Sequence, residues 1–265
     1  MNHWTKELMH HGIQGMHWGE RNGPPYPLDS TVSSNVRKGK ETVNTAFTLE
    51  QKMAIKNLKG AKTANLDKFG KTPETNTLYI AGYSGSGKST TALGIARKND
   101  HVIHLDAYSE PDSGGAAYLR SKTFNKFLDK KCPRWREMAN AKEDVSSEVD
   151  QFRDAIEDFS KQEFKKGNRV IVEGVQLADD WLSADKSYYE GKPVIALQTK
   201  AITSMSRAFE RDGRGNLIKG LKNLDDAKDY IRWYSKSSKN VKDLVSKSGT
   251  IEKGKKYINE LIKVT

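Results

Sequence analysis

Apolar residues fall into short runs separated by helical stretches, an alternation that begins at Thr77. Residues 78–81, 102–105, 170–172 and 194–197 are rich in Val, Ile and Leu and predict strands, and residues 88–97 predict a helix directly behind the first. Apolar strands that alternate with helices indicate an α/β fold of three layers, a mainly parallel sheet covered on both faces. Between the second and third strands, Val145, Val149, Phe152, Ile156 and Phe159 recur at spacings of four, three, four and three. That is one apolar stripe on a helix, expected to pack on the core.

The flanks read differently. Residues 1–30 hold His3, His10, His11, His17, Trp4 and Trp18 among glycines and prolines, a composition of neither helix nor strand. Leu49, Met53, Ala54, Ile55 and Leu58 permit a short basic amphipathic helix. A polar linker through Gly70, Pro73 and Asn76 follows, so residues 1–74 are expected to be a partly irregular extension and 75–265 the main domain. Within that domain, 109–166 is a helical insertion and 201–211 a helix; 221–233 and 241–262 predict two Lys-rich helices.

At 265 residues and 35% hydrophobic content, the chain can bury one good core. No run approaches the roughly 18 apolar residues that a membrane-spanning helix requires, and Cys132 is the single cysteine. An intrachain disulfide and a cysteine metal cluster are thereby excluded, and a cytoplasmic, non-membrane protein is expected. The formal charge of +11 is uneven. Residues 75–200 carry 19 basic and 19 acidic side chains, whereas residues 201–265 carry 15 basic against 8 acidic. A basic C-terminal third is placed to meet nucleotide phosphates, a phosphorylated substrate or nucleic acid.

The chemistry centres on residues 82–90, Gly-Tyr-Ser-Gly-Ser-Gly-Lys-Ser-Thr, which match the Walker A pattern GxxxxGK[ST] between a strand and a helix. Gly82, Gly85 and Gly87 allow close approach and positive φ, so amide N–H groups of a loop through Tyr83, Ser84 and Ser86 can turn toward phosphate. Lys88 supplies a cation to the β and γ phosphates and Ser89 a hydroxyl for Mg²⁺, while the helix through Thr90 aims its positive end at the same charge. The expected ligands are ATP or GTP with Mg²⁺.

Two carboxylates follow strands. Asp106, on a strand expected to neighbour the loop, is the candidate base or metal-associated acid, and Glu173 the candidate magnesium residue. Gly174 stands where hydrolytic motors usually carry a second acid, which favours transfer to a hydroxyl. Arg207, Arg211 and Arg214 lie four and three apart, a spacing that can present all three on one face as a lid over the transferring phosphate.

These segments together resemble the P-loop kinases of the uridine kinase and zeta-toxin type over about residues 77–215. The resemblance implies a base or metal role for Asp106, magnesium assistance from Glu173 and phosphate contacts from Arg207 and Arg211. The insertion departs from the pattern, leaving the acceptor open among a nucleoside, a polynucleotide end and a sugar nucleotide. The tract from His10 to Gly19 resembles a short sequence of tailed-phage head and maturation proteins, implying a phage-head partner. The alternatives are a nucleotide-binding structural or packaging protein of a phage particle, or a P-loop ATPase. His3, His10, His11 and His17 are a further candidate metal-binding group, left open because no cysteine accompanies them.

Overall fold

The apolar runs become strands because alternate side chains of the central ones each meet an apolar layer. The computed structural model describes residues 47–109, 120–136, 146–177, 186–211 and 224–263. Its strands are β1 (Lys62–Ala64), β2 (Thr77–Ala81), β3 (His101–His104), β4 (Val170–Gly174), β5 (Val194–Ala196) and β6 (Glu252–Lys253). The helices are α1 (Leu49–Gly60), α2 (Lys88–Ile95), α3 (Asp106–Ser109), α4 (Lys122–Lys131), α5 (Ser146–Lys165), α6 (Ala201–Arg211), α7 (Leu224–Ser248) and α8 (Ile258–Leu261). On β2, Leu78 and Ile80 join the cluster of Ala54, Leu58, Ala92, Ile95 and Leu261 from α1, α2 and α8. Tyr79 and Ala81 join Phe124, Leu128, Phe152, Phe159, Val241 and Leu244 from α4, α5 and α7. Two helical layers thus enclose the sheet, and each fully buried Leu, Ile or Phe contributes about 1.5–3 kcal/mol.

The sheet runs β3-β4-β2-β5-β1-β6. The first four strands, all expected from the sequence, are parallel. β1 and β6 extend the edge antiparallel, so the sheet is mixed. The stripe on α5 is core, with Val149, Phe152, Ile156 and Phe159 all buried; Val145 lies outside the described residues.

Three expectations are corrected. The core does not begin at Thr77, and a boundary at residue 74 cuts through it. Thr48 and Gln51 form a capping box that starts α1. α1 then packs so closely on α2 that a Cβ on Gly94 would lie 2.6 Å from the Ala54 Cβ and from the Glu50 carbonyl oxygen. β1 is only three residues long, too short to show a period of two in the sequence. The expected pair of C-terminal helices is also revised. α7 runs unbroken for 25 residues through the anticipated gap, and residues 249–262 form β6, a 3₁₀ turn (Gly254–Tyr257) and the short α8 instead of a long helix. Ser248 turns its hydroxyl back onto the Leu244 carbonyl at 2.7 Å as the helix ends, and at Gly249 a Cβ would stand 2.8 Å from the Asn65 Nδ2. Finally, β3 does not neighbour β2, because β4 lies between them.

Gly94→Val should force α1 from α2 and lower the unfolding free energy by about 1–3 kcal/mol, measured by urea unfolding; unchanged stability would show that this contact is slack.

Candidate functional site

The site is built where the parallel strands end. β2 leaves the sheet at Ala81 and turns through Gly82–Gly87 into α2, whose N-cap is Gly87 at φ +94°. Gly85 also has positive φ, +75°, and a Cβ there would lie 2.2 Å from the Ser204 carbonyl oxygen. Positive φ and a covering backbone together make glycine the only fit. Ser86 N donates to the Tyr83 carbonyl at 3.0 Å and tightens the turn. The amides of Gly85, Gly87, Lys88 and Ser89 donate to no acceptor among the described residues. Adjacent free amides at a helix start are the physical basis of an anion nest. Lys88 is buried, and its Nζ donates to the Tyr83 carbonyl at 3.2 Å, so its ammonium lies against the loop.

β4, hydrogen-bonded in parallel beside β2, brings Glu173 opposite Ile80. The carboxylate is 2% exposed. Its Oε1 accepts from Ser89 Oγ at 2.9 Å and lies 2.5 Å from His104 Nδ1, since β3 sets His104 opposite Glu173 from the other side. Its Oε2 is buried with no hydrogen-bond partner among the described residues. A buried carboxylate oxygen left open is costly unless a cation or donor meets it. Burial disfavours the His104 cation, but the hydrogen bond and charge of Glu173, with the charge of Asp106 added, outweigh it and raise the imidazole above its ordinary 6.5.

Asp106 opens α3, one residue past Leu105, and is half-buried. With β4 intervening, β3 lies about 10 Å from β2, two strand spacings away. Glu173, and not Asp106, is the acid on the strand neighbouring the loop. Gly174 is enforced by packing, as a Cβ there would stand 2.6 Å from the Leu105 Cβ; a second acid would not fit without displacing β3's end.

The chain's C-terminal third covers the outer half of the loop. Arg207 Nη1 donates to the Gly85 carbonyl at 3.4 Å, and Tyr234 OH to the Ser84 carbonyl at 3.1 Å. The Tyr83 OH reaches the Thr199 carbonyl at 2.9 Å, and the Tyr83 and Tyr234 rings meet edge to face, 5.0 Å apart. Arg211 ends α6 one turn beyond Arg207, whereas Arg214 and the tract 10–19 lie outside the described residues. Thr90 is buried behind the loop on α2.

Sequence reasoning missed His104, although it stands two residues before Asp106 at the same strand end; nothing in one strand announces which residue of another will face it. It also missed Asn57 of α1, whose Nδ2 donates to Thr91 Oγ1 at 3.0 Å and to the Gly87 carbonyl at 3.4 Å, because α1 was read as outside the core. No family model, curated protein or solved structure matches the chain. Among the described residues, no helix is long and apolar enough to cross a membrane.

Because the His104 pKa is raised in the fold, its pairing with Glu173 stabilises fully below pH 6.5, and this contribution is lost as pH rises through the folded-state value. In metal-free buffer, urea unfolding compared at about pH 5.5 and about pH 8.5 should show a larger alkaline loss for wild type than for His104→Gln; equal losses would remove the pair from the stability of the site.

Proposed function

We propose that the chain is a P-loop phosphotransferase of the kinase-like kind, moving the γ-phosphate of ATP or GTP to an acceptor hydroxyl with Mg²⁺. The observation that carries this is Glu173, buried on the strand beside the Walker A loop, hydrogen-bonded to Ser89 and holding one carboxylate oxygen open. A three-layer α/β sheet with the loop strand flanked by parallel neighbours is the architecture such a loop requires.

Ser89 and Glu173 fit a magnesium site. One hydroxyl and one carboxylate beside a phosphate nest suit an ion that retains several waters and takes phosphate oxygens as ligands, and Mg²⁺ there would neutralise charge between the β and γ phosphates. His104 orients Glu173 by hydrogen bonding to Oε1 and leaves Oε2 for the ion. Lys88 exchanges the Tyr83 carbonyl for the transferring phosphate, and the loop amides hold the β phosphate. Arg207, on the Gly85 carbonyl, is within side-chain reach of the same place and acts with Arg211 to neutralise charge that spreads over the phosphoryl oxygens. Asp106, set apart from the metal acid, takes the acceptor proton. The packed Gly174 leaves no second acid to activate water, which supports transfer over hydrolysis.

The test is transfer of labelled γ-phosphate to nucleosides, oligonucleotides and sugar nucleotides in the presence of Mg²⁺. Lys88→Ala and Glu173→Gln should each lower turnover by at least about 100-fold, while Asp106→Asn should abolish transfer with nucleotide affinity kept. Release of free phosphate with no labelled acceptor would replace this reading with an ATPase.

A further inference from the structure

A second binding feature lies beside the loop. Tyr83, Thr199, Lys200 and Ala201 on one side, and residues 231–242 of α7 on the other, enclose a cavity of about 470 Å³. From α7, Ile231, Ser235, Ser238, Lys239 and Lys242 line it, positions spaced by four, three, one and three that share one helix face. Lys200 faces them from the segment after β5. The described lining holds three lysines, three Ser or Thr hydroxyls and no acid. The ammonium groups of Lys200, Lys239 and Lys242 form no hydrogen bond or ion pair with a described residue, although acidic side chains are available elsewhere on α7, where Asp229 pairs with Arg232.

Three unneutralised cations converging on one concave space repel each other, an arrangement that a bound anion relieves. Hydroxyls and ammonium groups are donors to phosphate oxygens, and the Tyr83, Tyr234 and Ile231 side chains give the same cavity an apolar wall for the body of a ligand. The cavity and the loop share Tyr83, whose carbonyl receives Lys88 Nζ and whose ring lines the cavity, so the two spaces adjoin through one residue. We infer that this cavity holds a phosphate group of the acceptor, in a subsite separate from the P-loop. This rests on the phosphotransferase reading and narrows its acceptor to a phosphate-bearing one, either a small phosphorylated molecule or a polynucleotide.

Calorimetric titration of the full chain with thymidine 5′-monophosphate, thymidine and a 5′-phosphorylated tetrathymidylate tests it. The two phosphate-bearing probes should bind and thymidine should not. Affinity should fall at least about 10-fold in Lys239→Ser/Lys242→Ser, and should weaken with added salt. ATP affinity in that variant should stay within about two-fold of wild type, and Lys88→Ala should retain probe binding to the same degree, since neither change touches the other subsite. Monophosphate binding as tight as the tetranucleotide identifies a small acceptor; tighter, more salt-dependent tetranucleotide binding identifies a polynucleotide. Equal affinity of wild type and the double variant, or loss of probe binding in Lys88→Ala alone, overturns the assignment. Lysine-dependent probe binding without phosphoryl transfer would leave the subsite standing and sink the kinase reading; transfer without lysine-dependent binding would do the reverse.

Discussion

The site depends on β2 hydrogen-bonding in parallel to β4 on one side and β5 on the other. That single register carries Glu173 to the flank of the Walker A loop and brings residues 197–199 to its opposite flank, where Leu197 N donates to the Ala81 carbonyl at 2.9 Å. Parallel strands cannot be joined by a tight turn, so each neighbour arrives from a distant part of the chain after its own covering helices. The loop's flanks are therefore assembled from distant segments, with Ser89 and Glu173 84 residues apart and Ser84 and Tyr234 150 apart, and neither side-chain contact of Glu173 with Ser89 or His104 is local.

Burying the Glu173 carboxylate in the middle of this edge is unfavourable by itself. Ser89 and His104 offset part of that cost through Oε1, and Glu173 and Asp106 in turn raise the His104 pKa against the opposing effect of burial. What remains is a buried Oε2 with no hydrogen-bond partner among the described residues. On the proposed reading, the open anion and the free donors would be met together by a metal-bound polyphosphate.

The C-terminal third supplies the other half of the surroundings. α6 lies over Gly85, α7 grips the Ser84 carbonyl through Tyr234, and the edge strands β1 and β6 pair with each other on the same sheet. Part of the basic charge that accumulates after residue 200 is thus carried by α6 and α7, which touch the loop, and Lys239 and Lys242 of α7 line a cavity there.

Residues 78–81, 170–172 and 194–197 were legible as strands because buried parallel strands are continuously apolar, and the loop of 82–90 because positive φ at Gly85 and Gly87 tolerates few residue types. The stripe from Val149 to Phe159 was legible because helical period is a local property. What only the tertiary structure decided was adjacency. It set β4, not β3, beside the loop, paired His104 with Glu173, and drew α1 and the three-residue β1 into the core. Strand order, cross-strand pairing and the burial of short segments are set by hydrogen bonds and packing between residues far apart in sequence, and no local pattern encodes which distant partner will be met.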